Sequence, residues 1–234
     1  MAPQVGLNRE LALLKHMFNL AERWDLHRGS NPVRRVRFLS EDNLQFHILD
    51  EKDECSLLSC APPYLREMIQ FAVNTGLRSG EIFNLTWQEV DLDHRTITPI
   101  VRKTRRRLEL PLNDTAHAIL VSRNAVQHGP YVFYNPETGT RFKDVKLGLQ
   151  AAVKRAGLRK ITWHTFRHTF ASRLTQDGVD LVTVQELLGH STINVTMRYA
   201  HSNLEAKARA VARLRSSDKI VTIVPRTRQI AKIG

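Results

Sequence analysis

Three glycines divide the last third of the chain. Gly157, Gly178 and Gly189 each follow a run whose apolar residues recur at helical spacing, and a glycine just past such a run is the usual helix terminator. The pattern predicts short helices at about 146–156, 165–176, 181–188, 195–201 and 204–214. Upstream, Pro62 and Pro63 precede Leu65, Met68, Ile69, Ala72 and Val73. That helix should end at Gly76, and a further one should start at once with Ser79 as its cap and Glu81 near its positive end. Arg78 then lies at a helix–helix junction, a place suited to an anion.

Between these helical regions the pattern changes. Short β-type runs at 90–92, 96–101 and 108–112 are separated by Asp93-His94-Arg95 and by a very basic turn, which predicts a small antiparallel sheet. A further apolar run at 131–134 closes on Asn135-Pro136-Glu137-Thr138-Gly139, strong turn chemistry. The chain opens on helical spacing at Leu11, Leu14 and Phe18, with Asn8 as the expected N-cap. The stretch 27–42 combines Gly29, Ser30, Asn31 and Pro32 with Arg34, Arg35 and Arg37 and reads as a basic linker. The expected organisation is a helical segment plus linker at 1–42, a main domain at 43–216 and a basic tail at 217–234. The fold class is α+β, mostly α-helical, with a small antiparallel sheet on one side.

Charge narrows the function. In 234 residues there are 35 Lys and Arg against 23 Asp and Glu, a net charge of +12, while 42% hydrophobic residues keep the chain in the globular range. No apolar run approaches the roughly 20 residues that span a bilayer, and the N-terminus lacks a secretory pattern. A cytoplasmic protein acting on nucleic acid is the expectation, because clustered Lys and Arg release counterions from phosphates. The two cysteines, Cys55 and Cys60, form neither a disulfide framework nor a four-ligand zinc set and read as reduced thiols beside a short loop.

Several motifs are weak taken singly. His164, Arg167 and His168 stand at i, i+3 and i+4 and share a helix face. They read equally as helix-start histidines beside a surface arginine, and a His-x-x-x-His zinc site without a nearby acidic base is a poor match. His190 follows Leu188-Gly189 and precedes Tyr199 by nine residues. Alone, these are a turn residue and a packing residue. Arg102-Lys103-Thr104-Arg105-Arg106-Arg107 carries five basic residues in six, either a solvated turn or a phosphate contact.

Taken in order, the motifs say more. Thr75-Gly76-Leu77-Arg78-Ser79-Gly80-Glu81-Ile82, then Lys103 ahead of Leu110-Pro111-Leu112, then His164-x-x-Arg167, Leu188-Gly189-His190 and Tyr199 resemble the tyrosine recombinase, or phage integrase, family from about residue 43 to 201. The resemblance implies that family's catalytic-domain fold and site-specific cleavage and rejoining of double-stranded DNA through a 3′-phosphotyrosyl intermediate, without ATP, metal or other cofactor. It implies Tyr199 as nucleophile, His164 as base and Arg78 and Arg167 gripping the non-bridging oxygens. His190 would add a hydrogen bond, and Lys103 would protonate the leaving 5′-oxygen. Glu81 and His168 are expected to support, Glu81 by holding Arg78. Arg34, Arg35, Arg102, Arg105, Arg106 and Arg107 are expected to bind DNA.

The family usually carries a complete helical core-binding domain in front, and this sequence shows only what looks like its last helix. A non-catalytic DNA-binding remnant is therefore the alternative, with a type IB topoisomerase as a relative in chemistry. A metal-dependent nuclease is disfavoured because no carboxylate cluster accompanies the basic groups. The resemblance further implies a monomer that assembles into a tetramer on DNA, docking of 204–214 together with 220–224 on a neighbouring protomer, accessory DNA-bending proteins and a nucleoid-associated location.

Overall fold

A computed structural model describes residues 3–40, 47–101, 106–200 and 211. It is mostly helical with small antiparallel sheets. The helices are α1 (Pro3–Arg23), α2 (Glu51–Cys60), α3 (Pro63–Thr75), α4 (Ser79–Asn84), α5 (Asp114–Ala125), α6 (Lys146–Arg155), α7 (Trp163–Gln176), α8 (Leu181–Leu188) and α9 (Ile193–Thr196). A 3-10 turn, Met197–Tyr199, continues α9.

Helix α3 is the centre of the domain. Proline at its first position supplies a preset φ, and Gly76 closes it in the left-handed region at φ 66°. Leu65, Met68, Ile69, Phe71, Ala72, Val73 and Thr75 are all buried, so this helix is covered on nearly every side, as a core helix is. It packs against α7 and α5. The main core adds Ile82, Phe133, Leu149 and Phe166, and a smaller one gathers Ala171, Val184, Leu188 and Tyr199 under α7 and α8.

The sheet holds strands β1 (Val90–Asp91), β2 (Thr96–Ile97) and β5 (Leu110–Pro111) in the order β1-β2-β5, all antiparallel. Strands β3 (Ile100–Val101) and β4 (Arg106–Arg107) pair separately. The single run expected at 96–101 is thus split, with Pro99, which has no N–H for a ladder, between its halves. Of the basic run, Arg102, Lys103 and Arg105 fall outside the described residues, and Arg106 is placed as a strand residue only.

Several expectations change. Asn8 lies inside α1 rather than at its start; its side chain accepts from the Leu39 N–H and donates to the Leu39 carbonyl, both at 2.8 Å. Asn31 likewise donates to the Lys15 carbonyl at 2.9 Å, so the basic segment runs back along α1, and Arg34 and Arg35 are exposed. Cys55 and Cys60 lie in helix α2, not beside a loop. Helix α4 is entered from Arg78, with Ser79 as its first residue. Helix α7 begins two residues earlier than expected, at Trp163, so His164 sits in its first turn. Trp87 and Trp163 pack against the main core, partly buried. Of the expected helix at 204–214 only Val211 is described, as a helical, exposed residue; the tail from 217 lies outside the described residues.

Candidate active site

Arg167 joins three elements. Its guanidinium donates to the Gly76 carbonyl at 2.7 Å and to the Leu188 carbonyl at 2.5 Å. These carbonyls belong to the ends of α3 and α8, where helix carbonyls lack intrahelical partners and carry partial negative charge. The arginine is only 4% exposed, and two of its five N–H groups are thus used in fixing it. Burial, then the nearby Arg78 charge, lowers its pKa to about 10, against the pull of Glu81 and Tyr199. It remains a cation at neutral pH.

Gly76 makes this arrangement possible. Its backbone is left-handed, and a Cβ there would stand 2.4 Å from Phe170 Cδ1 and 3.0 Å from Leu188 Cδ2. Two residues on, Arg78 is held by Glu81, which is buried. One carboxylate oxygen accepts the Arg78 backbone N–H and the other accepts from its guanidinium, each at 2.9 Å. Arg78 keeps 38% of its side chain exposed, free to meet a ligand from solvent.

Three histidines surround these arginines. His164 is exposed, and its pKa is lowered by partial burial and then by Arg167 and Arg78. Burial, followed by Arg167, Arg78, Arg198 and His168, brings His190 down to about 4. His190 emerges after Gly189, left-handed at φ 60°, and its Nδ1 meets the hydroxyl of fully buried Thr196 at 2.8 Å. His168 is lowered to about 4 by burial and then by His164, Arg198 and Arg167. All three are therefore neutral imidazoles at pH 7. Beside His190 opens a cleft of about 560 Å³, walled on its other side by Arg107, Leu108 and Glu109.

Tyr199 ends the 3-10 turn with 2% of its surface exposed. Burial raises the phenol's pKa, opposed by Arg167 and Arg198. Its hydroxyl lies 2.6 Å from Nδ1 of His168. So His168, not His164, meets the phenol; His164 makes no hydrogen bond to a described residue. The structure thus brings Arg78, His164, Arg167, His190 and Tyr199 together, with Glu81 and His168 touching two of them. Lys103 lies outside the described residues. Thr196, Arg198 and the Gly76 and Leu188 carbonyls were missed; only the short distance of Thr196 and Arg198 from Tyr199 in the sequence pointed to them.

Among the described residues, no three His, Cys, Asp or Glu side chains gather as a metal site, and no helix is long and apolar enough to cross a membrane.

The architecture matches solved recombinase structures. The transposon Tn1549 integrase in complex with a circular intermediate DNA superposes with a TM-score of 0.73 at 23% identity, over 88% of this chain and 78% of that one. The catalytic domain of bacteriophage HP1 integrase gives 0.58 at 28% identity, over 72% of this chain and 95% of that domain. In sequence, the integrase of Salmonella phage P22 is 30% identical over 205 residues, 82% of this chain and 52% of its own length. Tyrosine recombinase XerC of Roseiflexus sp. (strain RS-1) is 33% identical over 70% of this chain and 56% of its own length. The fold is that of a tyrosine-recombinase catalytic domain. The chain belongs to the phage integrase family, whose model matches residues 37–206. It spans about half the length of the curated relatives it matches.

Proposed function

We propose that this chain is a tyrosine-type site-specific recombinase that breaks and rejoins double-stranded DNA through a 3′-phosphotyrosyl intermediate. The observation that carries the reading is the set of charges around Tyr199. Arg167 and Arg198 act on Tyr199, His168 and His190, and Arg78 acts on His190 and Arg167, with the Glu81 carboxylate opposing it at Arg167. Such a corner retains positive charge and attracts a phosphodiester. It favours the pentacovalent transition state still more, since that state carries additional negative charge.

The roles follow from the chemistry. The Tyr199 oxygen forms a bond to phosphorus as the 5′-oxygen leaves, and the energy stays in the new phosphotyrosyl bond. A 5′-hydroxyl of another strand then attacks that bond and restores the tyrosine, so no ATP is consumed. Arg78 and Arg167 suit the non-bridging oxygens because a planar guanidinium presents paired donors. His190, neutral and tethered to Thr196, is a hydrogen-bond donor in the Nε2–H tautomer. His164, in the first turn of α7 and open to solvent, is assigned the phenol's proton once DNA is bound, and Lys103 the leaving oxygen. Exposed Arg34, Arg35 and Arg107, together with Arg102, Arg105 and Arg106, are assigned to DNA phosphates. Residues 1–42 are assigned to a core-binding segment, 43–216 to the catalytic domain and 217–234 to a basic tail. A tetramer on DNA and accessory DNA-bending proteins complete the reading.

The test is an incubation in EDTA with nicked suicide duplexes carrying a panel of attachment sites, alongside supercoiled plasmid. A protein–DNA adduct that survives denaturation and is abolished by Tyr199→Phe is expected. Salt-sensitive binding without an adduct would overturn the reading in favour of a non-catalytic DNA-binding protein. Relaxation of plasmid without sequence preference would instead point to a topoisomerase.

A further inference from the structure

The family resemblance implies His164 as the phenol's base, yet in the structure the contact is made by His168, one helical turn farther along α7. The Tyr199 ring packs against the small core of Ala171, Val184 and Leu188, and only its oxygen reaches a polar group there, 2.6 Å from His168 Nδ1. The two rings are 5.7 Å apart at 51°. The groups facing this pair are His164 and Arg167 on α7, His190 just after α8 and Arg198 on the 3-10 turn.

We propose that His168 is a positioning residue for the nucleophile: its Nδ1 accepts a hydrogen bond from the Tyr199 hydroxyl and sets where the attacking oxygen stands relative to Arg167. This rests on the strand-transfer reading above and adds a residue to it. The proton belongs to the phenol in this contact, because His168 titrates near 4 and the phenol is raised above its ordinary value. His168 is thus an acceptor that orients, and a proton on Nε2 fixes its tautomer. Orientation matters because the oxygen must attack in line, and small displacements from that line are costly in rate.

The experiment compares His168→Leu, which removes the acceptor, with His168→Asn, whose amide oxygen stands close to the place of Nδ1. Adduct formation is followed in single turnover at saturating suicide substrate, DNA affinity by titration, and folding by urea melts. The expected result is a rate about 10- to 100-fold lower in His168→Leu with unchanged affinity, and within about threefold of the parent in His168→Asn. A parent-like or faster rate in folded His168→Leu overturns the proposal, as does equal loss in both folded variants. A second measurement needs no DNA. In ¹⁵N-histidine spectra, Nδ1 of His168 should appear as an unprotonated acceptor whose shift changes in Tyr199→Phe; absence of that change also overturns it. If the parent forms no Tyr199-dependent adduct, the strand-transfer reading fails instead, whatever the spectra show.

Discussion

Arg78 and Glu81 are joined twice, once through the backbone and once through the guanidinium, to opposite oxygens of one buried carboxylate. Glu81 therefore both closes the start of α4 and aims a site arginine. Replacing it by Gln keeps an oxygen for the backbone N–H but removes the charge that steers Arg78. Adduct formation by Glu81→Gln should fall on the order of tenfold while the melting transition changes little. Glu81→Ala should cost about 1–2 kcal/mol besides, because a part-buried N–H loses its acceptor. Paired kinetic and urea-melt measurements separate the two effects.

Gly76 is constrained in two independent ways, by its φ of 66° and by the 2.4 Å approach of Phe170 to the place of a Cβ. Gly76→Ala should destabilise the domain by roughly 2–4 kcal/mol, from left-handed strain plus overpacking. The displaced carbonyl is also an acceptor for Arg167, so adduct formation should drop even at temperatures where the variant is folded. Wild-type stability in chemical denaturation would contradict this account.

Acid should weaken the fold before it reaches the carboxylates. Burial holds His168 and His190 near 4, whereas in the unfolded chain both titrate near 6.5. Between those values the unfolded state binds protons that the folded state refuses, so stability is full above about pH 6.5, declines as the pH falls and levels off below about 4. After allowance for partial exposure, the pair should account for about 2–4 kcal/mol. Urea midpoints at pH 7 and 4.5 test this, and His190→Gln should shrink the difference between them.

Arg107 is exposed on β4, on the wall of the cleft beside His190. As a phosphate contact it should act without regard to base sequence. Arg107→Ala should weaken binding to all duplexes alike and reduce the slope of log affinity against log salt by about 1. An unchanged slope would remove this residue from the interface.

The sequence exposed those parts of the site that rest on local chemistry. Gly76, Gly157, Gly178 and Gly189 all take positive φ where helices end, and the spacing of His164 and Arg167 placed them in one helix. Helices α2 and α5 escaped notice because they bury little: Leu57 in the first, Ala116 and Leu120 in the second. Their signals were caps rather than periodicity. Asp50 accepts from the Asp53 N–H at 2.7 Å, and Asn113 accepts from the Ala116 N–H at 2.9 Å. The meeting of His168 with Tyr199 was not legible, since it spans 31 positions and depends on how α8 folds back on α7.

The two carbonyls that hold Arg167 give that residue a double life. A lineage of such proteins that abandoned DNA cleavage would be free to lose its tyrosine, yet would still need this arginine to keep two helix ends together. Its persistence in a sequence is therefore poor testimony that the enzyme still works. An experimenter seeking an inactive but intact protein should likewise silence the reaction elsewhere.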